Sequence, residues 1–373
     1  KNANGGGINI ESGVSTSVFT NNEIYSNVAY SNGGAIHTDS PLTINQTNVF
    51  TNGAKTGNRA YGNGGQISTS STLTLSGTST TTPLRIYWGL AVNDGGGVYG
   101  EGSSTINVKD YVYFGMNRAS VANFSSIDGA KTAKTDGGGL CGRGNVNINT
   151  STTATTNTVQ FFDNRAYNGG ALAIRSGGSL NAQRMAVSSN QASHYAGGIY
   201  VADGYSSVYY STINRNVAQY GGGVYIYNHS SNATFLSDTI SNNRASVLGG
   251  GVYNARTTGN AIFNSTNVTS NATTNTSAGY GAGLYNAGEC NYNDGEISNN
   301  GGTLTLTSSV IAEATGQCAY TASYNINTVV TPRGGGVFNS ATHSFNILNT
   351  KISGNVATGW GGGVLNCGTV KVN

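Results

Sequence analysis

Charge is scarce in this chain: only 9% of its 373 residues are Asp, Glu, Lys or Arg, and the formal net charge is +3. Cytosolic globular domains usually sit nearer a quarter, so the balance suits an extracellular surface better. No Lys/Arg cluster stands out along the sequence, which leaves nucleic-acid binding without an electrostatic footprint. No apolar run reaches membrane-spanning length, so no transmembrane segment is expected. There is no initiating Met and no signal-like segment, and a processed N-terminus or an artificial boundary is expected. The four cysteines lack Cys-x-x-Cys spacing, which argues against zinc and against a dense disulfide scaffold.

What is abundant is glycine, with 56 residues, together with Asn, Ser and Thr. Disorder would account for the polarity, but 22 Tyr, 10 Phe and regularly placed Val, Ile and Leu supply a core. A repeat organises them. It reads apolar-x-x-Asn-x-Ala, a short turn, then Gly-Gly-small-apolar-aromatic-Asn, and is clearest at 213–225 (INRNVAQYGGGVY), 240–254 and 352–366. Gly-Gly in every unit forbids helix, while short alternating runs such as ATFLSDTI at 233–240 point to strands.

Aligning the copies on the apolar residue after the glycines gives twelve index positions: Ile8, Ile36, Ile67, Val98, Leu140, Leu172, Ile199, Val224, Val252, Leu284, Val337 and Val364. Their usual spacing in the high twenties suits three short strands and three turns per coil. The expected fold is therefore all-β, a right-handed single-stranded parallel β-helix of about twelve coils, forming one domain over residues 1–373. One column of this alignment reads as core and includes Ile24, Phe114, Phe161 and Ile297. Three residues on, Asn27, Asn58, Asn117, Asn164, Asn190, Asn216, Asn243, Asn271, Asn300 and Asn355 form a column whose side chains can hydrogen-bond up and down the stack. Insertions are expected at one corner, at 120–135, 272–279 and 301–332, and within the last 303–311 and 320–330 alternate like the arms of a hairpin.

The Phe-x-x-Asn element at 161–164 and the Gly-Gly-Ala-Ile element at 33–36, with Gly-Gly-Ala-Leu at 169–172, resemble the repeats of chlamydial polymorphic outer-membrane proteins. The likeness covers most of the chain, with Gly-Gly-Gly-Val replacing Gly-Gly-Ala-Ile in the C-terminal half. It implies a secreted, surface-exposed, adhesin-like β-helix of the broader pectate-lyase-like fold.

Candidate sites are few. Asp94 and Asp136 fall in one column on adjacent coils, close enough to repel unless protonated or bridged by a divalent cation; the plainer reading is that both bond glycine amides at the turn, as their Asn neighbours do. None of the four His has a Ser or Cys partner evident in the sequence, so no nucleophile triad is expected. The aromatic column Tyr200, Tyr225, Tyr253, Tyr285 and Phe338 follows inward index residues, and strand alternation predicts its exposure as a surface for sugars or another filament. Cys290 and Cys318 share the coil with the longest insertion and are expected to form a disulfide. Cys318–Cys367 is the competing pair, and Cys141 is expected to be unpaired. Sequons are no more numerous than composition predicts; if used, Asn228, Asn232, Asn264, Asn267 and Asn275 are the candidates, and Asn271 is expected to stay bare.

These features point to an extracellular structural or adhesive module, secreted or on the cell surface, and not to an enzyme. No cofactor is expected beyond the divalent ion. Expected partners are further solenoid coils, by end-to-end self-association or flanking repeats, and glycans or a host surface. A carbohydrate-binding or polysaccharide-cleaving β-helix is the alternative.

Overall fold

The computed structural model describes residues 3–45, 57–119, 134–148, 156–175, 177–227, 233–255, 261–274, 279–286, 304–307, 310–312, 334–340, 344–348, 350–355, 357 and 360–372. Among these residues every regular element is a short strand, and there is no helix. The chain divides into two compact units, Lys1–Ser193 and His194–Asn373. Each is a parallel β-solenoid.

In the first unit the index strands Ile8–Ile10, Ile36–Thr38, Ile67–Thr69, Val98–Gly100, Leu140–Gly142 and Leu172–Ile174 stack in one parallel sheet. Their index residues pair in the order the repeat dictates, Ile8 with Ile36, Ile67, Val98, Leu140 and Leu172. A second sheet holds strands such as Thr72–Ser76 and Thr105–Val108, a third Val112–Gly115 and Val159–Phe162, and a fourth the two-residue strands of the Asn-x-Ala element, such as Arg118–Ala119. The second unit repeats the scheme, with Ile199, Val224, Val252, Leu284, Val337 and Val364 in register. The solenoid has about nine turns, against twelve index positions; all four strands are described in seven of them, because the third sheet has no described strand in the first two coils and the fourth has none in the last three.

The strands form because apolar and polar residues alternate with period two, so one set enters the coil and the other faces out. Leu73, Leu75, Ile106, Phe114 and Phe161 are buried. Like residues fall on like residues: the Phe114 and Phe161 rings stack at 4.5 Å and 2°, and Phe235 on Phe263 at 5.0 Å and 8°. Each such ring contributes roughly 1.5–3 kcal/mol by leaving water.

The corner between the third and fourth sheets is sharp, and a left-handed residue makes it. Ser26, Trp88, Met116, Asp163, Ser189, Arg215, Asn242 and Ser270, each one position before the ladder column, have φ between 52° and 60°. That conformation costs a non-glycine residue roughly 1–2 kcal/mol, which the Asn hydrogen bonds at the next position offset. The N–H and Nδ2 of Asn117 both donate to Asn164 Oδ1, at 3.0 and 2.9 Å, and Asn164 repeats this toward Asn190. Asn216 to Asn243 to Asn271 does the same in the second unit. One rung is missing, at Gly89. There Gln66 enters from the neighbouring column, accepts from Asn58 Nδ2 and donates to the Tyr87 carbonyl.

The C-terminal half departs from the sequence reading. Leu304–Thr307 pairs in parallel with Ala261–Asn264, and Val310–Ala312 with Asn267–Thr269. The run at 303–311 is thus a regular pair of coil strands and not a hairpin arm, since alternation alone does not distinguish the two. Ile311 takes the register position between Val268 and Ile352, in the column where Ile297 was expected. Asn300, expected in the ladder column, lies outside the described residues. The insertion at 272–279 likewise begins too early, because Ala272–Thr273 is a coil strand paired with Arg244–Ala245. The insertion at 120–135 ends too late: Thr135 is already in the coil, its carbonyl accepting from Asn168 N–H at 2.9 Å.

Candidate functional site

The outer side of the index sheet carries the aromatic residues singled out by sequence. In the second unit Tyr200, Tyr225, Tyr253, Tyr285 and Phe338 stand in one column, but they are only 2–8% exposed. The expected exposure is corrected. Alternation does turn them away from the index residue, but a second aromatic layer covers them. The rings lie parallel along the stack, Tyr225 on Tyr253 at 4.8 Å, Tyr253 on Tyr285 at 5.0 Å and Tyr285 on Phe338 at 5.0 Å. Residues of the glycine corner lean over them: Tyr195 meets Tyr225 at 4.2 Å and Tyr280 meets Phe338 at 4.9 Å. A buried ring has no open face for a sugar, so this column is an outer apolar layer.

The glycine corner of the first unit carries an Asx ladder. Asn32 N–H donates to Asn4 Oδ1, Asn63 N–H to Asn32 Oδ1, Asp94 N–H to Asn63 Oδ1, and Asp136 N–H to Asp94 Oδ1 at 2.9 Å. The fold thus brings Asp94 and Asp136 together: Asp94 Oδ1 accepts from the Asp136 N–H, and Asp136 Oδ1 from Asn168 Nδ2 at 2.8 Å, in place of glycine amides. An arginine sits on each carboxylate: Arg175 lies 2.9 Å from Asp136 Oδ2 and Arg143 lies 3.6 Å from Asp94 Oδ2. Burial raises the Asp94 carboxyl above its ordinary value, against the Asp136 amide and both arginines. Asp136 is pushed up to about 6, chiefly by burial and also by the Asp94 charge, with Arg175 opposing. Two guanidinium groups thus occupy the role the sequence reading gave to a divalent cation. Chelation with EDTA is expected to leave the melting temperature unchanged; a fall of several degrees, restored by calcium, would put a metal back at this pair.

Along the same outer face, register sets Ser68 beside His37, and His37 Nε2 lies 3.4 Å from Asp39 Oδ1. Sequence spacing hides this neighbourhood. Yet Ser68 Oγ and His37 Nδ1 are both buried without a hydrogen-bond partner, so they do not bond each other and no Ser–His couple forms. No group of three or more His, Cys, Asp or Glu that could hold a metal occurs among the described residues.

Two further polar tracks went unread. Asn254, Asn286, Asn339 and Asn366 form a second ladder, Nδ2 to Oδ1 at 2.7–2.8 Å; the Asn closing each Gly-Gly-small-apolar-aromatic-Asn element was its signal. Inside the second unit Ser211 N–H donates to Asp238 Oδ1 at 2.7 Å, while Asp238 Oδ2 is buried and unpartnered. Burial raises the Asp238 carboxyl well above its ordinary value. A further signal was the middle residue of Asn-x-Ala, which is Arg at Arg59, Arg118 and Arg165 of the first unit, so register sets in one column arginines that look scattered along the chain.

Cys290 and Cys318 lie outside the described residues, as do Asn228, Asn232 and Asn275. Cys141 is a buried free thiol and Cys367 an exposed one. Asn264 and Asn267 are half-buried strand residues, whereas Asn271 is buried in the ladder. No known protein family, curated protein or solved structure matches this chain.

Proposed function

We propose that this chain is a structural or adhesive solenoid module that works outside the cell, as part of a surface-exposed or filamentous assembly. The observation that carries the reading is the use to which buried polar side chains are put. Asn117, Asn164, Asn216, Asn243 and Asn286 bond their counterparts on the next coil, so these buried amides are committed to holding coil to coil. Such a ladder stiffens a solenoid along its stacking direction, because every coil shares hydrogen bonds with its neighbours. The sparse charge supports an extracellular setting.

Head-to-tail contacts between solenoids do not close, and generate filaments rather than dimers. Electron microscopy and sedimentation of residues 1–373 at micromolar concentration are expected to show linear association. A stable monodisperse monomer would defeat the filament reading, and a monomer that shortens a polysaccharide would replace the structural role with an enzymatic one.

A further inference from the structure

The outside of the Asn-ladder corner in the first unit carries residues that neither ladder uses. Register puts Arg59, Leu90, Arg118 and Arg165 in one column. Arg118 is buried and donates to the carbonyl oxygens of Asn117 and Asp163, so its role is internal. Arg59 is half-buried and Arg165 is exposed. Two residues past this column, Tyr30 and Tyr61 stack in the open at 5.5 Å and 4°, 67% and 45% exposed. On the other flank, Tyr87 and Phe162 meet edge to face at 5.5 Å across Gly115. A Cβ at Gly115 would fall 2.5 Å from the Phe162 ring, so the glycine is what lets these two rings close up. Arg85 stands in register with Tyr113 and within hydrogen-bonding reach of Tyr87.

We infer that this corner is a docking surface for an acidic polysaccharide lying along the stack, with Arg59 and Arg165 pairing its anionic groups and Tyr30 and Tyr61 packing against its sugar rings. The inference rests on the adhesive reading and names its partner. Arginine's planar fork suits carboxylate and sulfate groups, and tyrosine joins an apolar ring to a polar tip at a wet surface. The spacing of charge favours this occupant over a nucleic acid. Arg59 and Arg165 are three coils apart, roughly 14 Å at strand spacing, whereas a duplex carries a phosphate about every 3.4 Å per strand. Phosphates between the two arginines would lie unpaired, close to exposed Asp163. A polymer whose charges are separated by neutral ring surface meets the corner's own alternation.

The test is binding of the intact 1–373 chain to immobilised hyaluronate and unsulfated chondroitin at low salt, with neutral dextran and single-stranded DNA as comparisons. Retention on at least one acidic polymer, weakening with salt, is expected. Affinity should fall tenfold or more in Arg59→Gln/Arg165→Gln and in Tyr30→Ala/Tyr61→Ala, with melting temperatures close to that of the parent. No retention on either acidic polymer, equal retention on dextran, affinity untouched by both variants, or tighter binding of DNA would each overturn the inference. Filaments without glycan binding would remove this partner and keep the assembly; glycan binding by a strict monomer would do the reverse.

Discussion

Asn164→Ala is expected to destabilise the protein by about 3–5 kcal/mol, since each buried polar group left without a partner costs about 1–3 kcal/mol. The Asn164 side chain accepts from the N–H and Nδ2 of Asn117 and donates to the Phe114 carbonyl and to Asn190 Oδ1. Truncation strands the Asn117 N–H and the Phe114 carbonyl at a corner that is fully buried. It also removes the hydrogen bonds that offset the left-handed Asp163. For a unit of this size 1 kcal/mol moves the melting temperature by about 2–4 °C, so thermal unfolding should begin roughly 10 °C lower. Asn355 provides the contrast: it is half-buried and its Nδ2 donates to the Ser353 carbonyl two residues away. Asn355→Ala should cost under about 1 kcal/mol. Equal, small shifts in the two variants would show that the ladder does not hold the coils.

Acidification from pH 7 to pH 4.5 is expected to stabilise the fold through Asp136. Its carboxyl titrates near 6 in the folded chain against an ordinary value of 3.8. Between those values the folded state binds the proton and the unfolded state does not. Stability from this group is complete below about pH 4 and is lost as pH rises through 6. At about 1.4 kcal/mol per pH unit the full difference amounts to about 3 kcal/mol, of which about 2 kcal/mol is reached by pH 4.5. Asp94 and Asp238 are shifted in the same direction by burial. Asp136→Asn supplies the residue found at Asn32, Asn63 and Asn168 of the same column, and an amide can still accept the hydrogen bond without the buried charge. Melting curves across pH 4–7 should therefore be flatter in Asp136→Asn than in the parent, and the variant more stable at pH 7. Parallel pH profiles for the two proteins would contradict the assignment.

Much of this architecture was legible because a solenoid repeats its own constraints. Each Gly-Gly-apolar element needs the same corner and the same inward residue, so the register of Ile8 through Leu172 and of Ile199 through Val364 follows from alignment alone. The Asn column was legible for the same reason, since a buried side-chain amide needs another directly above it. Burial of the Tyr225 column was not, because alternation says which side of a strand a ring leaves from and nothing about what lies over it. Tyr195 and Tyr280 come from the preceding corner, and only stacking makes them a cover. The coil at Leu304–Ala312 was misread because a lone alternating strand carries no mark of its partner's direction. His37 beside Ser68, and Arg59 in line with Arg118 and Arg165, are contacts about one coil or more apart in sequence. They become visible only once coils are laid on one another.

Gln66 and Gly89 have a bearing on how such a chain can change over generations. At every other described ladder position of the first unit from Asn27 to Asn190 the rung is an asparagine; here a glutamine one column away reaches into the space that Gly89 leaves. A Cβ at Gly89 would fall 2.1 Å from the Gly96 carbonyl oxygen and 2.7 Å from Gln66 Cγ, so restoring asparagine first collides with its stand-in. Shortening Gln66 first deprives Asn58 Nδ2 and the Tyr87 carbonyl of their shared partner. Either single step destabilises the coil, and the double exchange still sets the new Cβ against the Gly96 carbonyl oxygen. The pair is a ratchet: once a lineage has exchanged both residues, the way back passes through a less stable intermediate, and the coil keeps a mark of its history.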